Sequence, residues 1–251
     1  MNIGIITGAS SGLGLEFYKA LQEEALDEIW VIARRGDRLE SNAREFGKIK
    51  TRVLPMDITV CENLRSLDEM LSKEDINIKF LINNAGFGVY GPVDGADFVA
   101  QGKMVDLNAR ALTEITAIAL KYMHEKDYII NTCSIASFVP NSNLVVYAST
   151  KAYVMSFSRG LRYELKKKKI NCLAVCPGPM STEFLSVAGI NDGTSKMFDT
   201  LPRANPSKVA QKSVKLVKKG KAVYTPLALF KFYRLLAKIL PHSWLLPICK
   251  S

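Results

Sequence analysis

Cysteine is scarce in this chain, and nothing in its spacing suggests pairing. The five present, Cys61, Cys133, Cys172, Cys176 and Cys249, are odd in number and include no CxxC pair. That argues against a disulfide framework and against a structural zinc site, and no metal centre is expected. Cys172 and Cys176 lie four apart in an apolar run and read as buried structural thiols, in keeping with a reducing cytoplasmic setting. No basic segment is followed by a long apolar run and a small-residue cleavage site, so a secretory signal is not expected. Repeats, low-complexity tracts and long linkers are also missing. The net charge of +10 lacks the pattern of a nucleic-acid surface. Its densest clusters, Lys166 to Lys169 and Lys215 to Lys221, fall where helices should end, and no aromatic side chains interleave with them. Nucleic acid is therefore not an expected partner.

What is present is the balance of a folded α/β protein: 251 residues, 48% hydrophobic and 23% charged. Short apolar runs read as strands at Ile3 to Thr7, Glu28 to Ala33, Thr51 to Asp57, Phe80 to Asn83, Tyr128 to Cys133, Asn171 to Cys176 and Ala222 to Tyr224. Between them apolar residues recur at helical spacing, as in Leu13-Phe17-Leu21 and Leu161-Leu165. Alternating strands and helices imply a parallel, doubly wound sheet of about seven strands with helices on both faces, forming one domain over 1–251. Ligands on such sheets bind beyond the carboxyl ends of the strands, where the strand order reverses. The residues just after each strand are therefore the candidates for chemistry.

After the first strand comes Thr7-Gly8-Ala9-Ser10-Ser11-Gly12-Leu13-Gly14. Gly8 permits a tight turn, Gly12 lets the backbone approach a pyrophosphate, and Gly14 permits close helix–strand packing. The following helix N-terminus presents free N–H groups to phosphates. Beyond the second strand stands Ala33-Arg34-Arg35, with no carboxylate before Asp37. An arginine fork suits a 2′-phosphate, so NADP(H) is predicted over NAD(H), with Ser10 and Ser11 as further donors.

The spacing Gly-x-x-x-Gly-x-Gly resembles the cofactor turn of the short-chain dehydrogenase/reductase family. Other motifs follow in that family's order up to about residue 182. Asn83-Asn84-Ala85-Gly86 follows the fourth strand, Asn108 the position of the family's catalytic asparagine, and Ser134 the fifth strand. Tyr147-Ala148-Ser149-Thr150-Lys151 matches YxxxK, and Pro177-Gly178 precedes Thr182. The resemblance implies a Rossmann-type fold, a core over 1–182, and an oxidoreductase exchanging hydride between NADP(H) and a carbonyl or secondary alcohol. It implies a catalytic set of Asn108, Ser134, Tyr147 and Lys151, with Lys151 also holding the nicotinamide ribose and Asn108 anchoring a relay water. Tyr147 and Lys151 share a helix face, and the ammonium is expected to lower the phenol pKa. Ser134 would stabilise the developing alkoxide. Asp57 and Ile58 would flank the adenine, Asn84, Ala85 and Gly86 the adenosine ribose side, and Pro177, Gly178, Met180 and Thr182 the carboxamide and phosphates. The family also implies a homodimer or homotetramer.

Substrate selection is expected from a lid over 183–204, where Phe184, Leu185, Val187, Met197 and Phe198 suit a lipophilic substrate such as a steroid or 3-oxoacyl chain, or pack internally. Leu227 to Leu240 reads as an apolar helix with Lys231, Arg234 and Lys238 along one stripe, stopped by Pro241. It is too short and polar to span a bilayer. It would cover the pocket, contact a subunit or lie on a membrane surface, and packing against protein is the favoured reading. A non-catalytic NADP(H) sensor is the rival function.

Overall fold

The computed structural model describes residues 1–190 and 199–246. Its seven strands are β1 (Asn2–Thr7), β2 (Glu28–Ala33), β3 (Lys50–Pro55), β4 (Asn77–Asn83), β5 (Tyr128–Thr132), β6 (Asn171–Val175) and β7 (Val223–Tyr224). They form one parallel sheet in the order β3-β2-β1-β4-β5-β6-β7, so every predicted strand is present. The largest boundary shift is at β4, which begins before the apolar run. Asn77 and Lys79 join the strand because both side chains donate to the fully buried Asp127 carboxylate, at 3.4 and 2.9 Å. A tertiary partner thus offsets the cost of polar residues there.

Side chains alternate between two apolar layers, as strand geometry requires. Ile3, Ile5, Trp30, Ile78, Leu81 and Ile129 face one core, which α3 (Cys61–Ser72), α5 (Leu112–Ala119) and α6 (Val145–Glu164) cover. Ile6, Ile29, Val31, Phe80, Ile82 and Ile130 face the other, covered by α1 (Gly12–Leu21) and α8 (Pro206–Lys218), with Leu39 of α2 (Gly36–Phe46). With both faces covered, nearly continuous apolar strands follow. The chain winds outward from β1 to β3, returns to β4, and winds the other way. The crevice beyond the carboxyl ends of β1 and β4 is the topological switch point. The lysine clusters do follow helices, Lys166–Lys169 after α6 and Lys219 to Lys221 after α8. Cys133, Cys172 and Cys176 are buried free thiols; Cys249 lies outside the described residues.

α4 (Phe98–Val105) runs into α5 through a π-helical turn, Asp106–Ala111. A short helix, α7 (Glu183–Val187), follows the sixth strand. Near the C-terminus α9 (Ala228–Ile239) is followed by α10 (His242–Leu245). The inner face of α9 seats Phe230, only 2% exposed, directly on Gly178. Tyr233 packs on Phe138 with ring centroids 5.9 Å apart, and Arg234 donates to Thr225 Oγ1 at 3.3 Å.

A Cβ on Gly178 would lie 2.1 Å from Phe230 Cε2, whereas one on Gly102 in α4 meets nothing within 4 Å. Gly178→Ala is therefore expected to lower stability by ~1–3 kcal/mol in urea unfolding, and Gly102→Ala to leave it unchanged or raise it by up to ~1 kcal/mol.

Candidate active site

Three strand ends are laced together by one side chain. The Asn84 amide donates to Thr7 O at 3.3 Å and Gly8 O at 3.4 Å, and its Oδ1 accepts from Thr132 Oγ1 at 3.3 Å. Thr7 Oγ1 in turn accepts from the backbone N–H groups of Asn84 and Ala85, both at 3.0 Å. These bonds fix the carboxyl ends of β1, β4 and β5 around a cavity of about 1070 Å³. Every predicted site residue except Gly14 and Asn108 lines that cavity.

The glycine turn forms its floor. Gly8 (φ +69°) and Gly12 (φ +55°) occupy left-handed backbone that an L side chain adopts only at a cost. Gly14 lies behind the turn: a Cβ there would stand 2.0 Å from Gly8 O, so its part is packing, not contact with a ligand. No side chain caps the N-terminus of α1, leaving its first N–H groups facing the cavity end of the loop. Arg35 donates to Ser10 Oγ at 3.1 Å and Ser11 Oγ at 2.8 Å. Asp57 would be raised by burial, but the hydroxyl and N–H of Thr59, at 2.7 and 2.9 Å, and the nearby Arg34 charge outweigh this and hold it below the usual carboxylate value. Cationic forks, hydroxyls, free N–H groups and a glycine-lined floor are the donor set that a phosphorylated dinucleotide requires.

At the other end of the cavity Tyr147 and Lys151, one turn apart on α6, converge with Ser134. Ser134 caps a 3₁₀ turn, Ile135–Ser137, by accepting from Ala136 N at 3.1 Å, which fixes its hydroxyl. Tyr147 is 8% exposed and packs on Phe184, ring centroids 5.5 Å apart. Burial pushes its phenol up to about 12, with a hydrogen bond to Ser134 acting the other way. The predicted lowering by Lys151 is therefore not what the protein alone produces. Lys151 Nζ stands 5.8 Å from the Tyr147 ring centroid and donates to Thr132 O at 2.9 Å; burial lowers its own pKa. Loss of hydration outweighs a cation that has turned toward a strand-end carbonyl.

Asn108 differs from the expectation in another way. It sits in the π-helical turn, 1% exposed and behind the cavity wall. Its Oδ1 accepts from Phe87 N at 3.0 Å, and its Nδ2 donates to Phe87 O at 2.8 Å and Thr150 Oγ1 at 3.1 Å. The amide thus ties the chain after Gly86 to α6 one residue from Lys151. The π turn supplies the local change of pitch that points it there.

Glu183 and its partner Arg38 were not legible as site residues. Glu183, the first residue of α7, bridges Arg35 at 2.9 Å and Arg38 by a short contact. Arg38 and then Arg35 push the Glu183 carboxyl down to about 2. Phe184 follows directly, so one ion-pair cluster ties the arginine end of the cavity to the helix carrying the cover over Tyr147. The only sequence signal was a carboxylate right after Thr182; its partners are far away in the chain. Leu185, Val187 and Ile190 line the apolar half, while Met197 and Phe198 lie outside the described residues. Leu229, Phe230 and Tyr233 of α9 complete that wall, so the C-terminal helix covers the pocket on one face.

Because the Glu183 pKa is depressed, its pairing contributes fully above the ordinary value near 4.5 and is lost as pH falls through about 2. Both side chains are close to half exposed, so screening keeps the contribution to roughly 0.2–1 kcal/mol. Glu183→Gln is expected to speed backbone amide exchange in α7 by a few-fold at neutral pH with little change in global stability. The wild type should show the same loosening between pH 4.5 and 2, after correction for intrinsic exchange rates.

Residues 2–191 match the short chain dehydrogenase family. A probable NADP-dependent dehydrogenase of Haemophilus influenzae is 31% identical over 214 residues, 82% of this chain and 83% of that protein. A short-chain dehydrogenase from Sphingobium yanoikuyae, solved in complex with NADPH, superposes with a TM-score of 0.80 at 25% identity, covering 95% of this chain and 93% of that one. The bulky-bulky ketone specific alcohol dehydrogenase from Comamonas testosteroni gives 0.77 at 26% identity, covering 95% and 92%. With its sheet order, glycine turn and Ser-Tyr-Lys cluster all in one crevice, this chain belongs to the short-chain dehydrogenase/reductase family of oxidoreductases.

Proposed function

We propose that this protein is an NADP(H)-dependent carbonyl reductase acting on a lipophilic ketone or aldehyde, with Tyr147 as the proton donor. The observation that carries this reading is the buried Tyr147 phenol beside Ser134 and Lys151, in the same cavity as the glycine turn and the arginines. When bound, the nicotinamide supplies or accepts the hydride. Gly8, Ser10, Ser11, Gly12 and Leu13 would hold the pyrophosphate end, with Thr182, whose methyl would lie 3.5 Å from a Cβ on Gly12. Arg34 and Arg35 would take the 2′-phosphate, Asp57 and Ile58 the adenine, Asn84 to Gly86 the adenosine ribose side, and Pro177, Gly178 and Met180 the carboxamide end. The relative and the structural neighbour named for NADP or NADPH support this choice.

A phenol pushed up to about 12 is protonated at neutral pH, as a donor must be. Ser134 orients the accepting oxygen and shares its developing charge. Lys151 sits where an ammonium favours the phenolate left once the proton has gone. Phe87, Val89, Leu144, Phe184, Ile190 and Leu201 give the substrate end an apolar lining. That lining favours a steroid-like or 3-oxoacyl-like body over a small polar one.

Tyr147→Phe keeps the ring against Phe184 and removes the proton. Turnover of a ketone panel followed by NADPH absorbance should fall by about 10²–10⁴-fold, with NADPH affinity by fluorescence titration nearly unchanged. Retained turnover would sink the assignment of Tyr147. Replacing Arg34 and Arg35 together by Ser should weaken NADPH binding by at least ~10-fold and NADH binding far less, since charge-assisted bonds contribute about 1.5–3 kcal/mol each. A wild-type preference for NADH would overturn the choice of NADP(H).

A further inference from the structure

Beyond its cavity face, α9 leaves an apolar stripe in solvent. Phe232, Leu235 and Ile239 are 58%, 52% and 68% exposed and share one face at i, i+3, i+7 spacing. Trp244, 67% exposed, follows in α10. Such residues are usually buried or isolated on a monomer; a continuous set implies a partner. Among the described residues no helix is long and apolar enough to cross a membrane.

The charges around the stripe select the partner. Lys231 and Lys238 are exposed and flank it, and α9 carries no carboxylate. More broadly, the chain has no Asp or Glu after Asp199, while Lys and Arg recur through to Lys250. A second copy of this chain fits poorly. A two-fold contact sets the same patch against itself, bringing Lys231 and Lys238 toward their counterparts with no local anion to neutralise them. A nucleic acid would leave the apolar stripe in water. An anionic bilayer answers both features, because apolar and aromatic side chains enter the headgroup boundary while lysines remain among the headgroups.

We infer that α9 and α10 form an in-plane docking surface for an anionic lipid bilayer, through Phe232, Leu235, Ile239 and Trp244 with Lys231 and Lys238. The same helix supplies Leu229, Phe230 and Tyr233 to the cavity wall. Docking therefore places the apolar end of the cavity beside the lipid from which a lipophilic substrate would come. That consequence rests on the proposed function; the docking itself does not.

The test is flotation of the full-length protein with vesicles of phosphatidylcholine alone and with added phosphatidylserine. The protein should float with the anionic vesicles, less so at high salt, and scarcely with the neutral ones. Leu235→Glu combined with Ile239→Glu should cut anionic-vesicle binding by at least ~10-fold, since each substitution replaces inserted apolar area with a like-signed charge. Lys231→Glu with Lys238→Glu should abolish the preference for anionic lipid. These four positions do not line the cavity, so NADPH binding, thermal unfolding and turnover of a water-soluble carbonyl should match the wild type, and a loss there would indict the fold or the catalytic reading instead. Failure of the wild type to float, or flotation of the Leu235/Ile239 variant equal to the wild type, overturns the proposal. So does a wild-type dimer that this variant dissociates without any vesicle binding, which would assign the stripe to a second copy.

Discussion

The Asn84 side chain is the constraint on which the site depends. A parallel sheet whose winding reverses leaves a gap between the loops after β1 and β4, and nothing in the ladder holds the two loops together. Asn84 closes that gap with hydrogen bonds to Thr7 O, Gly8 O and Thr132 Oγ1. The same amide nitrogen would lie 2.6 Å from a Cβ on Gly14, so the glycine there is a requirement of the lacing as much as of the turn. Because Thr132 O also receives the Lys151 ammonium, the floor of the cofactor end and the proton-transfer end share one frame.

Electrostatics differ at the two ends of that frame. The inner end is dry: Tyr147, Lys151 and Ser134 are all buried, and lost hydration raises the phenol and lowers the ammonium. Both shifts disfavour the charged forms, and the raised phenol keeps its proton at neutral pH. The outer end is wet and ionic. There Arg35, Arg38 and Glu183 are each close to half exposed, and their pairing tethers α7 without contributing much stability. The carboxylate on Arg35 also ties that end to α7, which carries the Phe184 cover over Tyr147.

The C-terminal helix joins the site to the surface. One face seats Phe230 on Gly178 in the loop after β6; the other presents an apolar stripe edged by lysines. Twelve residues thus serve as cavity wall and packing element while keeping an exposed apolar stripe, as their high amphipathicity permits.

Much of this was readable from residue order. Period-two and period-3.6 patterns specify the strands and helices, and glycines, Ser134 and the Tyr147/Lys151 pair follow from local backbone and helix geometry. All seven strands were legible because a sheet covered on both faces writes itself as apolar runs; β4 extended furthest beyond its run, where Asp127 satisfies Asn77 and Lys79. What the sequence could not decide were quantities set by distant partners. Burial, not the neighbouring lysine, governs Tyr147, since Phe184 closes over it from another helix. Asn108 lies behind the cavity wall because a π turn aims its amide at Phe87 and Thr150. Glu183 joined the site only through arginines 145 and 148 residues away. Local spacing determined which chemistry the chain could carry; dehydration and long-range hydrogen bonds, which exist only once the sheet has closed, decided the protonation and aim of each group.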